Sequence, residues 1–192
     1  MSELIFIIIG TVFINNLVVD EIVGTDPALA LIRRLDIARG VSLAMLLLLP
    51  LVTLVTCLVE VYCLKPLLLE HFRLLVFTGL ILTVVMGLKK CLAFLGRNIA
   101  GQAGIFLPMT GINTAVVGTA LLSQHASNGP LQAVAFGLGS AVGFGLIMII
   151  ITAVNERVNM ADVPGPFRGN PLILITLGII SISFMGFTGI LK

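Results

Sequence analysis

Charge is what this sequence has least of. Asp, Glu, Lys and Arg make up 10% of its 192 residues and hydrophobic residues 58%, with a mean hydropathy of +1.18; soluble proteins carry about a quarter charged residues. So few polar side chains cannot cover a water-soluble globule of this length, and that class is excluded. The 11 basic and 9 acidic residues leave a net charge of +2, which makes no basic field of the kind that attracts nucleic acid. Cysteine is scarce too. Cys57, Cys63 and Cys91 are odd in number and lie in or beside apolar runs, which argues against a disulfide framework and for small apolar helix fillers. The two histidines, His71 and His125, fall in expected loops. No Ser/His/Asp set can be assembled within an apolar run, and no charge-free run holds a carboxylate of the kind a proton relay or sodium site uses. No catalytic residue, no metal site and no self-contained enzyme are expected.

What the sequence has is long apolar runs. An ionised side chain facing lipid costs several kcal/mol, so the charge-free intervals mark the spans: Leu4 to Val19, Gly40 to Val59, Leu74 to Leu88, Asn98 to Asn155, and Gly169 to Leu191. The fourth interval holds two spans, divided by the turn-forming stretch from Ser123 to Pro130. Six helices of about 20 residues use up the chain, so 1–192 is read as one integral membrane domain. The first and third intervals are short, and their helices must borrow flanking residues or be locally broken. Leu4 to Gly10 follows Met-Ser-Glu without a basic n-region or an Ala-x-Ala site, so it is expected to be an uncleaved first span.

Alternating the loops puts Arg33, Arg34, Arg39, Lys89, Lys90, Arg97, Arg157 and Arg168 on one side, and only Lys65, Arg73 and Lys192 on the other. The positive-inside rule then places both termini outside the cytoplasm.

One internal match stands out. Ile14-Asn15-Asn16-Leu17-Val18-Val19 recurs as Ile112-Asn113-Thr114-Ala115-Val116-Val117, an offset that also pairs Ser42 with Ser140 and Thr78 with Thr176. The offset is about half the chain, so helices 1–3 map onto helices 4–6, in halves of about 1–97 and 98–192. Three spans per half is an odd number, so the second half lies upside down relative to the first. The expected fold is therefore all-α: six transmembrane helices as two inverted three-helix repeats, with helices 1 and 4 discontinuous. Helix 1 carries Asn15 and Asn16 in its apolar run, and helix 4 carries Pro108, Gly111 and Asn113. Buried amides need partners, and a helix break supplies them. Two readings stand: packing glue between helices, or a midplane polar site of Asn15, Asn16, Asn113 and Thr114, which the recurrence beside helix breakers favours. Gly137, Gly139, Gly143 and Gly145 give helix 5 a close-packing face and not a phosphate loop, which needs a preceding strand. Asp20, Glu21 and Asp26, just past helix 1, read as a solvated or interfacial cluster.

Four stretches carry a family resemblance: Gly104-Ile105-Phe106-Leu107-Pro108; Asn113 with Ala115-Val116-Val117-Gly118; Ala161-Asp162-Val163-Pro164-Gly165-Pro166-Phe167-Arg168-Gly169-Asn170; and Phe184-Met185-Gly186-Phe187-Thr188-Gly189. Together they resemble the family formed by the A-type subunits of the Rnf electron-transport complex and the E-type subunits of the sodium-pumping NADH:quinone reductase. The resemblance runs end to end. It implies an integral component of a bacterial inner-membrane translocase that couples electron transfer, on the ferredoxin/NAD side, to sodium or proton translocation. The implied partners are a homologous six-helix subunit in the opposite orientation, flavoproteins and iron–sulfur proteins, all assembled in the lipid bilayer. In the family the two homologous subunits hold a [2Fe-2S] cluster at the midplane, each giving a cysteine from a Gly-x-Cys-Pro turn and another from a Thr-Asn-Cys-Ala break. This sequence has Gly24-Thr25-Asp26-Pro27 and Ile112-Asn113-Thr114-Ala115 at those places, with Asp26 and Thr114 at the cysteine positions and Lys89 where the family tends to carry a Glu. Such clusters are held by thiolates, with imidazole the usual substitute, so no cofactor is expected from this chain's own ligands. Two readings then follow: the subunit keeps its place in a complex whose electrons cross by another route or whose partner holds a modified cofactor, or electron transfer through it is lost and Asp26 with Asn15, Asn16, Asn113 and Thr114 lines a polar path for ions or only a structural gap. A different class also stays open, a small inverted-repeat transporter or channel that acts without redox partners.

Overall fold

The computed structural model of the chain describes residues 2–14, 16, 18, 35–95, 97–111, 113–127, 129–158 and 160–186. Their regular structure is helical throughout, without a strand among the described residues. The helices are α1 (Ser2–Ile9), α2 (Leu35–Val59), α3 (Arg73–Leu95), α4 (Arg97–Gly111), α5 (Thr114–Ala126), α6 (Pro130–Val158) and α7 (Asn170–Met185). Two of them run on as wider π-helical turns, α1 through Gly10–Ile14 and α2 through Glu60–Leu64. Leu35–Leu64, Glu70–Leu92 and Pro130–Val158 are long and apolar enough to cross a membrane. A fourth crossing is added if Gly104–Gly111 and Thr114–Ala126, which meet at 66°, form one span. Glu3–Phe13 and Asn170–Met185 are apolar but shorter, below the length of about 20 residues that spans a bilayer core.

The bundle is built on α2 and α6, whose mutual contact is its most extensive. Val41, Ala44, Met45, Leu48, Leu49 and Val52 of α2 are buried, at the i, i+3, i+4 spacing that puts them on one stripe. The four glycines expected to form one face of α6 serve two. A Cβ on Gly137 would overlap the Thr53 hydroxyl and lie 2.9 Å from the Leu49 carbonyl oxygen, and one on Gly145 would lie 3.2 Å from Ser42 Cβ, so this pair faces α2. A Cβ on Gly139 would overlap the Thr11 hydroxyl and lie 3.0 Å from the Ile8 carbonyl oxygen, and one on Gly143 would lie 2.8 Å from Asn16 Nδ2, so this pair faces α1 and its π turn. Small residues that let helix backbones approach are the usual means of association in lipid, where hydrophobicity gives no drive.

Buried hydroxyls are satisfied within their own helices. Thr53, Thr56, Thr119 and Thr152 each donate to the carbonyl four residues back, at 2.7 to 3.0 Å, so they can face a neighbouring helix without an unpaired donor. The outer surfaces of α3 and α7 are apolar: Leu74, Leu75, Leu82 and Met86 on one, Leu174, Ile175, Ile179 and Ile182 on the other, are exposed.

The helix boundaries depart from the charge-free intervals at one informative place. Those intervals predict a loop over 60–73, but the α2 helix continues through Glu60 to Leu64 and α3 starts at Arg73. Glu60 is buried, at 1% exposure. The Arg73 guanidinium grips its carboxylate with two groups: Nε donates to Oε2 at 3.1 Å, and Nη2 donates to Oε1. A membrane helix thus carries a carboxylate after all. The pairing that makes this possible lies 13 residues along the chain, so a rule that treats every charge as the end of a span passes over it.

Candidate functional site

Asn113 sits between α4 and α5, where the chain turns by 66°. Three local causes act together. Pro108 has no N–H to continue the α4 ladder; Gly111 packs so closely on α3 that a Cβ there would lie 2.5 Å from a Val85 methyl; and Asn113 adopts φ −74°, ψ 135°, the extended geometry of an N-cap. Its Oδ1 accepts from the Ala115 amide at 3.0 Å, its own amide donates to the Thr110 carbonyl at 3.1 Å, and its carbonyl accepts from Val116 at 3.0 Å. Asn113 therefore ends one helix and starts the next. Its side chain is used on one side only: Nδ2 is buried and has no hydrogen-bond partner among the described residues. Next to it, Thr114 is exposed, with its hydroxyl 3.5 Å from Asn113 Oδ1.

Asn16, buried at 1% exposure, follows the π turn Gly10–Ile14. Its Nδ2 donates to the Val12 carbonyl at 2.8 Å, and its Oδ1 accepts from the Val18 amide at 3.1 Å. Both asparagines thus use their amide to close backbone groups that a regular helix would have paired. Asn16 bonds to Val12 and Val18 and Asn113 to Thr110, Ala115 and Val116, so among the described residues the two asparagines do not bond to each other. Asn15 and Asp26, the other two members of the expected constellation, lie outside the described residues, as do Asp20 and Glu21.

The break offers an amide and a hydroxyl, neither of which replaces a thiolate at an iron–sulfur cluster. The cysteines are elsewhere: Cys57 is buried in α2, and Cys63 and Cys91 are exposed on the α2 extension and on α3. Among the described residues no group of three or more His, Cys, Asp or Glu side chains converges. His71 lies in the 3-10 turn before α3, and His125 lies in the last turn of α5, one turn inside the expected loop, its Nδ1 3.3 Å from the Leu121 carbonyl oxygen. The loop from Ala161 to Asn170, which carries the most specific part of the resemblance, is held by Arg168, whose Nε donates to the Val163 carbonyl at 2.8 Å. Gly169, at φ +84°, turns the chain into α7.

Residues 4–191 match the family described as Rnf-Nqr subunit, membrane protein. A protein of Vibrio cholerae serotype O1, named as the A-type subunit of an ion-translocating oxidoreductase complex, is 38% identical over 192 residues, covering all of both chains. Proteins of the same name from Vibrio atlanticus and Thioalkalivibrio sulfidiphilus are also 38% identical over the whole of both chains.

Proposed function

The chain belongs to the Rnf-Nqr family of membrane subunits, and from that premise we propose that it is the A-type subunit of an ion-translocating oxidoreductase complex. The observation that carries this reading is the match over the whole of both chains, without a gap in coverage at either end. In this reading the chain makes six crossings as two inverted halves. The short helices α1 and α7 complete the count, and α4 with α5 forms one broken span. It lies in a bacterial inner membrane beside a homologous subunit of opposite orientation, with flavoprotein and iron–sulfur subunits completing the assembly.

The chemistry assigned to this chain is positional. Asn16 and Asn113 hold two helix interruptions and, together with Asn15 and Thr114, supply amide and hydroxyl groups where a regular helix would present only apolar side chains. With Asp26 and Thr114 at the family's cysteine positions, a cluster in the assembly takes its thiolates from the partner subunit, or electrons cross elsewhere. No electron-transfer step runs through a ligand of this chain.

The test is to solubilise a tagged chain gently and to analyse it by mass spectrometry and for iron. Flavoprotein and ferredoxin-like subunits are expected to co-purify, and the isolated chain is expected to move no ion in vesicles. A chain that purifies without partners and transports an ion alone would replace this reading with that of a self-sufficient transporter.

A further inference from the structure

One end of the bundle carries an open surface pocket of about 340 Å³ between α1, α5 and α6. We infer that it seats a phospholipid whose headgroup carries a primary ammonium. The inference goes beyond the reading as a complex subunit and rests only on the chain being a membrane protein.

The pocket lies at headgroup level. Its lining draws on the first turn of α1 (Glu3), the last residue of α5 (Ala126) and the first turn of α6 (Gln132), three helix ends that meet at one end of the bundle. A carboxylate at the end of an apolar helix belongs at the interface and not in the hydrocarbon. From there polarity falls with depth. Glu3 and Gln132 are the polar groups nearest the helix ends, Phe6, Ile7 and Phe136 make apolar walls, and Thr11 closes the floor, eight residues beyond Glu3 or about 12 Å. Thr11 is buried, and its hydroxyl donates to the Ile7 and Ile8 carbonyls at 2.9 and 3.0 Å, so the deep end holds no unpaired donor. A site with this order of parts fits a headgroup above an acyl chain. Phe6 and Ile9, both exposed on α1 and three residues apart on its surface, carry the apolar wall outward for the rest of that chain. The volume is at the lower end of the range of about 300–1,000 Å³ for small-molecule pockets, which suits a headgroup and the start of one chain.

Charge selects the headgroup. Glu3 is the one ionisable group among the described lining residues, which favours an ammonium and disfavours a headgroup that is only anionic. The carboxyl end of α5 at Ala126 adds the negative end of a helix dipole, and the amino end of α6 beside Gln132 presents a positive one, where phosphate is favoured. A zwitterion of ammonium and phosphate matches both signs. A primary ammonium also brings three donors for the Glu3 carboxylate, which a quaternary ammonium lacks. Seated there, the lipid joins α1 to the ends of α5 and α6, beyond the close contacts of Thr11 and Asn16 with Gly139 and Gly143.

The experiment uses the gently solubilised whole complex and a phosphatidylethanolamine with a diazirine near the head of one acyl chain; labelled peptides are identified by mass spectrometry. Label is expected on the peptides that bear Phe6, Ile7 and Phe136. Unlabelled phosphatidylethanolamine is expected to compete about threefold better than phosphatidylcholine or phosphatidylglycerol, the scale of one partly exposed ion pair. Glu3→Gln is expected to lower the labelling by the same factor and to abolish the preference among the three lipids. Ala126→Phe, at an exposed position on the rim, is expected to lower it at least about fivefold, as overpacking of an occupied site does. Equal competition by the three lipids in the unaltered complex overturns the proposal and makes the pocket part of a general lipid annulus. No label on these peptides also overturns it, and leaves the pocket to a neighbouring subunit. Unchanged labelling in either variant overturns it as well. The competition needs no variant, so it decides the matter even where a substituted complex fails to assemble.

Discussion

A carboxylate at 1% exposure inside a membrane helix is tolerable only because Arg73 meets it with two donors. Taking charges out of water costs several kcal/mol per ion, and losing one partner of a buried pair costs about 3–5 kcal/mol. Glu60→Gln or Arg73→Met is therefore expected to destabilise the purified assembly by that amount. The double replacement by methionine is expected to recover most of the loss, and thermal unfolding of the single and double variants checks it. A single variant as stable as the double would show that the pair carries no such coupling. The glycines make a second residue-level contrast. Gly139→Ala drives a methyl into Thr11 and toward the Ile8 carbonyl, an overpacking that costs about 1–3 kcal/mol. Gly79→Ala and Gly87→Ala meet nothing within 4 Å and are expected to leave the unfolding temperature nearly unchanged. At this scale the sequence was legible where chemistry is local. Pro108, Gly111 and Asn113 mark the helix break because a missing donor, a close approach and a capping amide are properties of the residues themselves. Glu60 was not legible, because its tolerance depends on an arginine that only the turn between α2 and α3 brings within reach.

At the level of the elements, the run-on of α2 through Leu64 makes α2 and α3 a long hairpin whose turn is closed by the Glu60–Arg73 pair. Cys63 lies near that turn and Cys91 near the far end of α3, both exposed, whereas Cys57 is buried within α2. A membrane-impermeant maleimide applied from one side is expected to label Cys63 and from the other side Cys91, with Cys57 unlabelled until the protein is denatured. Labelling of Cys63 and Cys91 from the same side would break the hairpin assignment. The extent of the elements was read well at α3, which borrows residues through Leu95 as its short charge-free interval required. It was read less well at the turn before α6. There the stretch from Ser123 looked like loop by composition, yet α5 continues to Ala126 because Ser123 and Ser127 bond to carbonyls of the last turn. Serine favours turns for the same reason that it can close a helix end: its hydroxyl competes for nearby backbone groups, and composition alone does not say which it does. The π turns at Gly10 and Glu60 leave no mark in the hydrophobic pattern, since each adds a single residue to one turn.

For the molecule as a whole, charge count and family agree on a membrane protein, and the eight-to-three distribution of basic residues predicts its orientation by the positive-inside rule. A reporter fused after Lys192 is expected to be active only outside the cytoplasm, and activity on the cytoplasmic side would invert the assignment. That the chain is an all-helical membrane protein could be read from composition, because the bilayer leaves so few solutions. The relation between the two asparagine segments could not, because it depends on which helix receives α1. That helix is α6, through Gly139 and Gly143. The contact has a consequence for synthesis. Thr11 must meet a glycine 128 positions later in the chain, and at about 5–20 residues per second α1 waits roughly 6–26 seconds for the surface that receives it. During that interval its uncovered Thr11 and the turn at Gly10 face lipid or the insertion machinery, so α1 is made well before it can be seated.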